Sequence, residues 1–405
     1  MAITDRLSAP WLAMPATCAV MDALDTARSG GAMFVGGCVR NTLRDCPVDD
    51  IDIATQLKPE ETLAALKVAG IRAIPTGLEH GTVTAIVESR PFEITSLRRD
   101  VETDGRRAVV AFTQDWAEDA ERRDFRLNAI YARHDGTIQE IVPGSIADAL
   151  AGRVIFIGNA DQRLREDYLR ILRFFRFNAW YGAGLDEEGL TACARQKDSL
   201  SKIAAERIWK ELKRLLEAPD PSEAMMAMEE SGVLGVILPN ALATELSSLV
   251  ALEQTAGLRP DSLQRLMALI PRRTRETADI ASRLRLSNAE AGRLAAWADP
   301  ALGHVLGQDA AKQSELFYRY GPQAVMDRAL IEAAQQSDAE GLMIVSGLAD
   351  RWQKPVFPLR GEDALAAGLT GPEVGAALRQ LEEDWMSSGY TLSREALLSR
   401  LNSQS

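Results

Sequence analysis

Two carboxylates separated by one residue, Asp50 and Asp52, are the side chains in this 405-residue chain best suited to bind a metal ion. They belong to the alternating segment Asp50-Ile51-Asp52-Ile53, and in a strand residues two apart share a face. Both carboxylates then point the same way, and a cation relieves their mutual repulsion. Because Mg²⁺ prefers oxygen ligands, the segment predicts a magnesium site. A solvated strand edge is the alternative for such a pair taken alone.

A third carboxylate, Glu93, lies in a later predicted strand between the apolar residues Phe92 and Ile94. Alternation places its side chain on the face opposite to theirs, together with Thr95. Convergence of Glu93 with the two aspartates would complete a two-metal site for phosphoryl transfer.

A glycine pair, Gly36-Gly37, separates the apolar run Ala32 to Val35 from a predicted helix over residues 38–44. Paired glycines let the backbone approach a phosphate closely, and a helix start offers free N–H groups to it. Arg40, one turn into the helix, adds a charged donor. A tight turn without a ligand is an equally good interpretation of the glycines alone.

Arginines are concentrated in two later segments, Arg122 to Ala129 and Arg163 to Phe177. Clustered guanidinium groups suit triphosphate oxygens, which they bind in a bidentate manner. The spacing predicts one helix from Leu164 to Tyr181, on which every third residue forms a slanting polar stripe. The members of this stripe are Asp167, Arg170, Arg173 and Arg176. An acceptor beside a donor is what reading a base edge requires; a salt-bridged surface helix is the alternative.

The elements that must position these residues change in type near residue 160. Residues 33–160 have mixed strand and helix patterns, with hairpins predicted at Thr82–Val87 with Phe92–Thr95 and at Ala129–Arg133 with Thr137–Val142. Beyond them the period is helical to the C-terminus. The pattern predicts an α+β head followed by an all-helical body and tail. Predicted helices include Ala204–Leu216, Ser222–Glu230, Ser262–Leu269, Asn288–Trp297 and Pro372–Trp385.

Composition places the chain among multidomain soluble proteins, with 46% apolar and 26% charged residues. The four cysteines form no CxxC pair and are typical of reduced thiols in a cytoplasmic protein. The apolar stretch at residues 9–24 contains two prolines and Asp22. We therefore expect neither a signal peptide nor a membrane span there.

Net charge is −12, which disfavours a nucleic-acid partner for the chain as a whole. Residues 121–216 nevertheless contain 17 Lys and Arg against 14 Asp and Glu. This local excess of positive charge is compatible with RNA contact in the middle of the chain.

These motifs together resemble the class II tRNA nucleotidyltransferase and bacterial poly(A) polymerase family. The segments that carry the resemblance, in order, are GGCVRN, DDIDIAT, GLEHGTVT with FEITSLRRD, RRDFRLNA and REDYLRILRFFRF, all within residues 30–215. The resemblance implies a nucleotidyltransferase head at residues 1–150, a mixed sheet with helices. It also implies a helical neck at 151–217, a helical body at 218–350 and a helical, RNA-binding tail at 351–405.

The resemblance also implies roles for individual residues. Asp50 and Asp52 would hold Mg²⁺, with Glu93 as the third catalytic carboxylate. The implied triphosphate contacts are Gly37, Arg40 and Arg123. The implied base-recognition residues are Asp167 and Arg170, acting as a protein template, with Arg173 and Arg176 in support. Arg126 departs from the Thr that the family has in RRDFT, which puts the local role of that hydroxyl in doubt.

The implied reaction is in-line attack of an RNA 3′-hydroxyl on a nucleotide α-phosphate, releasing pyrophosphate. We expect CCA addition to the 3′ end of tRNA from CTP and ATP, with no protein partner evident. A poly(A) polymerase, an inactive RNA-binding relative and a small-molecule nucleotidyltransferase are the alternatives. Three histidines are too few for the metal phosphohydrolase domain of some relatives, and we expect His134 to be structural. Gly368 and Gly371, before a tail helix, could contact tRNA phosphate.

Overall fold

The computed structural model of the chain describes residues 5–103 and 108–403. It forms two compact units, Met1–Ala243 and Thr244–Ser405. The predicted fold class, an α+β head followed by helices, is confirmed. The division into head, neck, body and tail at residues 150, 217 and 350 stays a prediction.

A seven-stranded sheet with the order β3-β4-β5-β2-β1-β8-β9 forms the centre of the head. All neighbours in it are antiparallel except β2 and β5. Both predicted hairpins are confirmed, as β4–β5 and as a shorter β8–β9. The strands are β1 Ala32–Val35, β2 Asp52–Thr55, β3 Arg72–Gly77, β4 Thr82–Val87, β5 Arg90–Ser96, β6 Arg98–Thr103, β7 Ala108–Phe112, β8 Ile130–Ala132 and β9 Ile138–Glu140, with β6 and β7 forming a separate pair.

One detail of the predicted strand at residues 50–53 is wrong, because Asp50 lies outside it. The chain turns from β1 into a helix at Gly36, whose φ of 71° is readily adopted only by glycine. No β1 residue therefore remains opposite Asp50, and β2 begins at Asp52. The predicted alternation still holds for burial, since Ile51 and Ile53 are buried.

Eleven α-helices complete the described part of the first unit. They are α1 Pro15–Ala27, α2 Gly37–Leu43, α3 Pro59–Val68, α4 Trp116–Glu121, α5 Ser145–Ala151, α6 Ala160–Glu166, α7 Arg170–Tyr181, α8 Glu187–Gln196, α9 Ala205–Leu216, α10 Ser222–Glu230 and α11 Val233–Ile237. Helix α7 packs on α9 and α10. Its apolar side joins the head through ring contacts, with Phe174 stacked 5.6 Å from Phe156 between centroids. This packing fixes the polar side of α7 relative to the sheet.

The prediction of one continuous helix from Leu164 to Tyr181 is wrong. Helix α6 ends at Glu166, Asp167 is extended with φ −152° and ψ 106°, and α7 begins at Arg170. The break is stabilised locally, because the Asp167 carboxylate accepts a hydrogen bond from the Leu169 N–H at 3.1 Å. Short acidic side chains compete with helical hydrogen bonding in this way.

In the described residues of the second unit, all regular secondary structure is helical. These are α12 Thr244–Ala256, α13 Ser262–Leu269, α14 Thr274–Arg283, α15 Asn288–Ala298, α16 Ala310–Gln336, α17 Ala339–Ala349, α18 Gly361–Ala366, α19 Pro372–Ser387 and α20 Arg394–Asn402. Helix α16 is broken at Gly321, with φ 80° and ψ 159°, just before Pro322. A search of the described residues finds no helix with the length and apolar character needed to cross a membrane.

Candidate active site

A cavity of about 600 Å³ in the first unit brings together residues from the sheet, α2, α7 and α9. Nine of the ten predicted site residues line it, namely Gly37, Arg40, Asp50, Asp52, Arg123, Asp167, Arg170, Arg173 and Arg176. Glu93, the tenth, is not on the cavity lining but is the register partner of Asp52 in the parallel β2–β5 pair.

The acidic edge of this cavity consists of Asp50 and Asp52, with Glu93 on the adjacent strand. Burial, and then the nearby negative charges of Glu93 and Asp50, raise the pKa of Asp52 to about 6, while Arg123 and Arg40 oppose the shift. Carboxylates that repel one another in this way fit a divalent cation. In residues 5–103 and 108–403, no group of three His, Cys, Asp or Glu side chains is arranged to hold a metal ion. The assignment of these carboxylates as ligands therefore stays a prediction, supported by their charge repulsion.

Arg40 lines the same cavity from α2, with only 5% of the residue exposed. Its guanidinium donates to the Oδ1 atoms of Asn41, at 2.9 Å from Nη2, and Asn128. It also lies 3.8 Å from the centroid of the Tyr181 ring, a cation–π distance. The Arg40 side chain is therefore held in one orientation, with its positive charge in the cavity wall.

Arg123 is fixed by a buried acidic residue below the cavity, Asp119. The Arg123 guanidinium lies 3.0 Å from the Asp119 carboxylate, and its Nε donates to the Tyr131 hydroxyl at 3.1 Å. Burial opposes ionisation of Asp119, but the charges of Arg123 and Arg122 lower its pKa to about 2. Asp119 therefore stays ionised and positions Arg123 towards the cavity.

Asp167 and Arg170 both line the cavity, but the prediction that they share one polar stripe of a continuous helix is wrong. Asp167 pairs with Arg207 of α9 at 2.8 Å. Arg170 pairs with Glu166 at 2.5 Å and donates to the backbone oxygens of Arg163 and Arg122. The helix break at Asp167 explains the difference, because it takes the carboxylate off the polar stripe of α7.

Arg173 and Arg176 have buried acidic partners. The Arg173 guanidinium lies 2.5 Å from Asp124, and the Nε of Arg176 lies 2.6 Å from Glu211 on α9. Burial opposes ionisation of Asp124, but the Arg173 charge and the Asn128 amide lower its pKa to about 2. These two arginines are thus anchored, and their guanidinium carbons lie 5.3 Å and 4.2 Å from the centroid of the Phe177 ring.

Several residues of this site were not predicted from the sequence. The cavity lining also includes Asn128, Phe177, Tyr181, Arg207 and Arg214. Asn128 and Asp124 lie in the arginine-rich RRDFRLNA segment, so a signal was present. Arg207 carried no such signal, because its relevance depends on the packing of α9 against α7.

Two further sequence hypotheses concern residues away from this cavity. Arg126 does not line it, and instead its Nη1 lies 3.6 Å from the Asp148 carboxylate. His134 lies in the turn between β8 and β9, 3.6 Å from Asp22, which agrees with a structural role. Phosphate binding at Gly368 and Gly371, which precede α19 with positive φ angles, stays a prediction.

Comparison with known proteins identifies the family. A family model described as the Poly A polymerase head domain matches residues 32–155. A second, described as a probable RNA and SrmB-binding site of polymerase A, matches residues 184–244. The mitochondrial CCA tRNA nucleotidyltransferase 1 of Mus musculus is 34% identical over 385 residues, covering 90% of this chain and 85% of the relative. The Homo sapiens protein of the same name is 33% identical over 375 residues, with the same two coverages.

The fold is shared with a solved structure, the Bacillus stearothermophilus CCA-adding enzyme in complex with CTP. The TM-score is 0.76 at 23% sequence identity, and the alignment covers 98% of each chain. On the strength of these sequence matches over 90% of its length, this chain belongs to the CCA tRNA nucleotidyltransferase family.

Proposed function

We propose that this chain adds C and A nucleotides from CTP and ATP to the 3′ end of tRNA. The observation that carries the proposal is that one cavity is lined by the acidic pair Asp50 and Asp52, by anchored arginines and by the polar pair Asp167 and Arg170. Phosphoryl transfer needs little covalent help from the protein and depends on positioning and charge stabilisation. The names of the relatives agree with this activity.

Enzymes of this family generally use a divalent metal ion. Asp50 and Asp52 are the residues we expect to hold it, and Mg²⁺ is the ion that their hard oxygen ligands favour. When bound, the ion supplies positive charge to the transferring phosphoryl group and its leaving pyrophosphate.

The chain's own arginines bind and orient the triphosphate in this proposal. Arg40 and Arg123 are anchored by Asn128 and Asp119 before any ligand arrives. Preorganised cations of this kind need no rearrangement when charge develops during the reaction. Gly37, at the start of α2, adds no side chain that would keep the triphosphate away from Arg40.

Base choice in this proposal falls to Asp167 and Arg170. The Asp167 carboxylate accepts hydrogen bonds, and the Arg170 guanidinium donates them, so together they match the amino group and ring acceptor of cytosine or adenine. Guanine and uracil present the reverse pattern and would leave buried groups unpaired, at about 1–3 kcal/mol each. Arg207 and Glu166 hold the two groups separately, which leaves each able to adjust on its own.

The experiment that tests the function uses four tRNA substrates, ending before CCA and after C, CC and CCA. Each is incubated with CTP, ATP or both, and the 3′ ends are sequenced. The proposal predicts completion of CCA and no further extension. A run of adenosines on any RNA would instead support the poly(A) polymerase alternative, and no incorporation would support the inactive relative.

The cytoplasmic location predicted from composition is also part of this proposal. The named mammalian relatives are mitochondrial proteins. Fractionation of the source cells, with the chain detected in each fraction, tests the location directly.

A further inference from the structure

Trp180 lies at the C-terminal end of α7, between Phe177 and Tyr181, two residues of that helix that line the cavity. It follows Arg176 by four residues and Phe177 by three, so the three side chains share one side of the helix. Its indole N–H donates to the backbone oxygen of Arg214 at 2.7 Å. Arg214 and Tyr181 both line the cavity, so this hydrogen bond holds Trp180 next to residues of the cavity lining.

The Trp180 indole is unusually open to solvent. All seven tryptophans lie in the described residues, and Trp180, at 41% exposure, is the only one classed as exposed. Burial of a large aromatic ring is normally favourable, and a ring held in water by a hydrogen bond offers a preformed contact surface. The indole is therefore available to another aromatic surface.

The surroundings of Trp180 are aromatic and basic. The Tyr181 ring lies 6.5 Å away between centroids and carries Arg40 on its face at 3.8 Å. Arg44 lies 6.0 Å from the same ring. An exposed aromatic ring beside a neighbouring ring that contacts arginines is the combination with which proteins bind single-stranded nucleic acid.

We propose that Trp180 is a stacking platform for a base of the single-stranded 3′ end of the tRNA. This inference rests on the proposed function. In it, Trp180 holds the acceptor RNA rather than the incoming nucleotide. Trp180 is ten residues from Arg170 along α7, or about 15 Å at the helical rise, too far to stack on the base that Arg170 reads. A platform also suits an acceptor whose terminal base changes at each addition, because every base has a π face.

The test compares Trp180→Ala with Trp180→Phe, which keeps an aromatic face but loses the indole N–H. Stacking on an aromatic ring contributes about 1–3 kcal/mol per base, so we expect Trp180→Ala to raise KM for tRNA about tenfold. KM for CTP should change less than about twofold, and Trp180→Phe should retain most of the tRNA affinity. Val68→Ala, which truncates an exposed apolar side chain on α3, is the control and should change neither constant.

A direct readout uses tRNA without CCA whose 3′-terminal base is 2-aminopurine, a fluorophore quenched by stacking. We expect quenching on binding to the wild-type chain and to Trp180→Phe, and a clear loss of quenching with Trp180→Ala at saturating protein. An unchanged tRNA KM with unchanged quenching in Trp180→Ala would overturn the inference. So would an equal loss in both Trp180 variants accompanied by lower melting temperatures, which would indicate a structural role of the indole. If the wild-type chain adds no nucleotides, the proposed function fails, while the quenching comparison still decides the stacking.

Discussion

The Arg173 guanidinium on α7 lies 2.5 Å from the Asp124 carboxylate, 49 residues earlier in the chain. Asp124 also accepts a hydrogen bond from the Asn128 amide at 3.0 Å, and the Asn128 oxygen accepts one from Arg40. One buried network therefore joins the helix that carries the base-recognition residues to the helix that carries the phosphate contact. The stability of this network should therefore affect both base recognition and phosphate binding in the cavity.

Asp124→Asn should destabilise the fold, because it leaves the Arg173 charge without its closest partner. Removing one member of a buried ion pair typically costs about 3–5 kcal/mol. Urea unfolding, followed by a spectroscopic signal from the first unit, measures this loss of unfolding free energy. Glu118→Gln, also in the first unit, removes one member of an exposed pair with Arg99 and should cost less than about 1 kcal/mol. Equal effects of the two substitutions would contradict a special role for the Asp124 network.

Low pH should destabilise the fold by protonating the buried carboxylates of Asp119 and Asp124. Asp119 and Asp124 have folded-state pKa values of about 2, below the value of about 3.9 expected when unfolded. A carboxyl group whose pKa is lower in the folded than in the unfolded state stabilises the fold above pH 4. This stabilisation, about 2.6 kcal/mol for each group, is lost as the pH falls through 2. The free energy of unfolding should therefore fall between pH 4 and 2, and by less in Asp124→Asn. A parallel fall in that variant would show that Asp124 is not a source of the acid sensitivity.

Arg40→Ala and Arg123→Ala should raise KM for CTP and ATP alike, by about tenfold or more, because each removes charge-assisted hydrogen bonds to phosphate. Steady-state rates at fixed tRNA and varied nucleotide measure the effect. Arg165→Ala, which removes an exposed arginine that does not line the cavity, is the matched control. A strong preference for one nucleotide in either cavity variant would indicate that the arginine contacts the base.

Arg126→Thr restores the residue typical of the family and should leave nucleotide addition within about twofold. The Arg126 side chain lies outside the cavity, and Asp148 keeps Arg153 as a closer partner at 2.8 Å. The free energy of unfolding should change by less than about 1 kcal/mol, as for other partly exposed pairs. A large change in kcat would show that position 126 takes part in the reaction.

Local patterns in the sequence predicted much of the fold. The alternation of apolar and polar residues identified β4 and β5, and the glycine turn at Gly36 identified the transition from β1 to α2. These features depend on neighbouring residues, so periodicity and turn chemistry are sufficient to find them. The position of Glu93 beside Asp52 depends on a parallel pairing across 41 residues, so from local patterns their convergence was a hypothesis only.

The errors occurred where distant residues decide the geometry. The helix break at Asp167 is accompanied by a bond to Arg207, 40 residues away, which no local pattern reports. The network through Asp124 was missed for the same reason, since its partner Arg173 lies 49 residues later in the chain. Nine of the predicted site residues nonetheless line one cavity, because their motifs lie at ends of elements that the fold brings together.

The central claim is that one cavity both transfers nucleotides and selects their bases. Its most direct test is sequencing of tRNA 3′ ends after incubation of tRNA lacking CCA with all four nucleotides. The wild-type chain should produce CCA, Asp50→Ala and Asp52→Ala should produce no extension, and Asp167→Ala and Arg170→Ala should add U and G as well. Circular dichroism spectra matching the wild type confirm that each variant is folded. CCA ends from Asp52→Ala at near-normal rate, or unchanged base choice in both Asp167→Ala and Arg170→Ala, would contradict the claim.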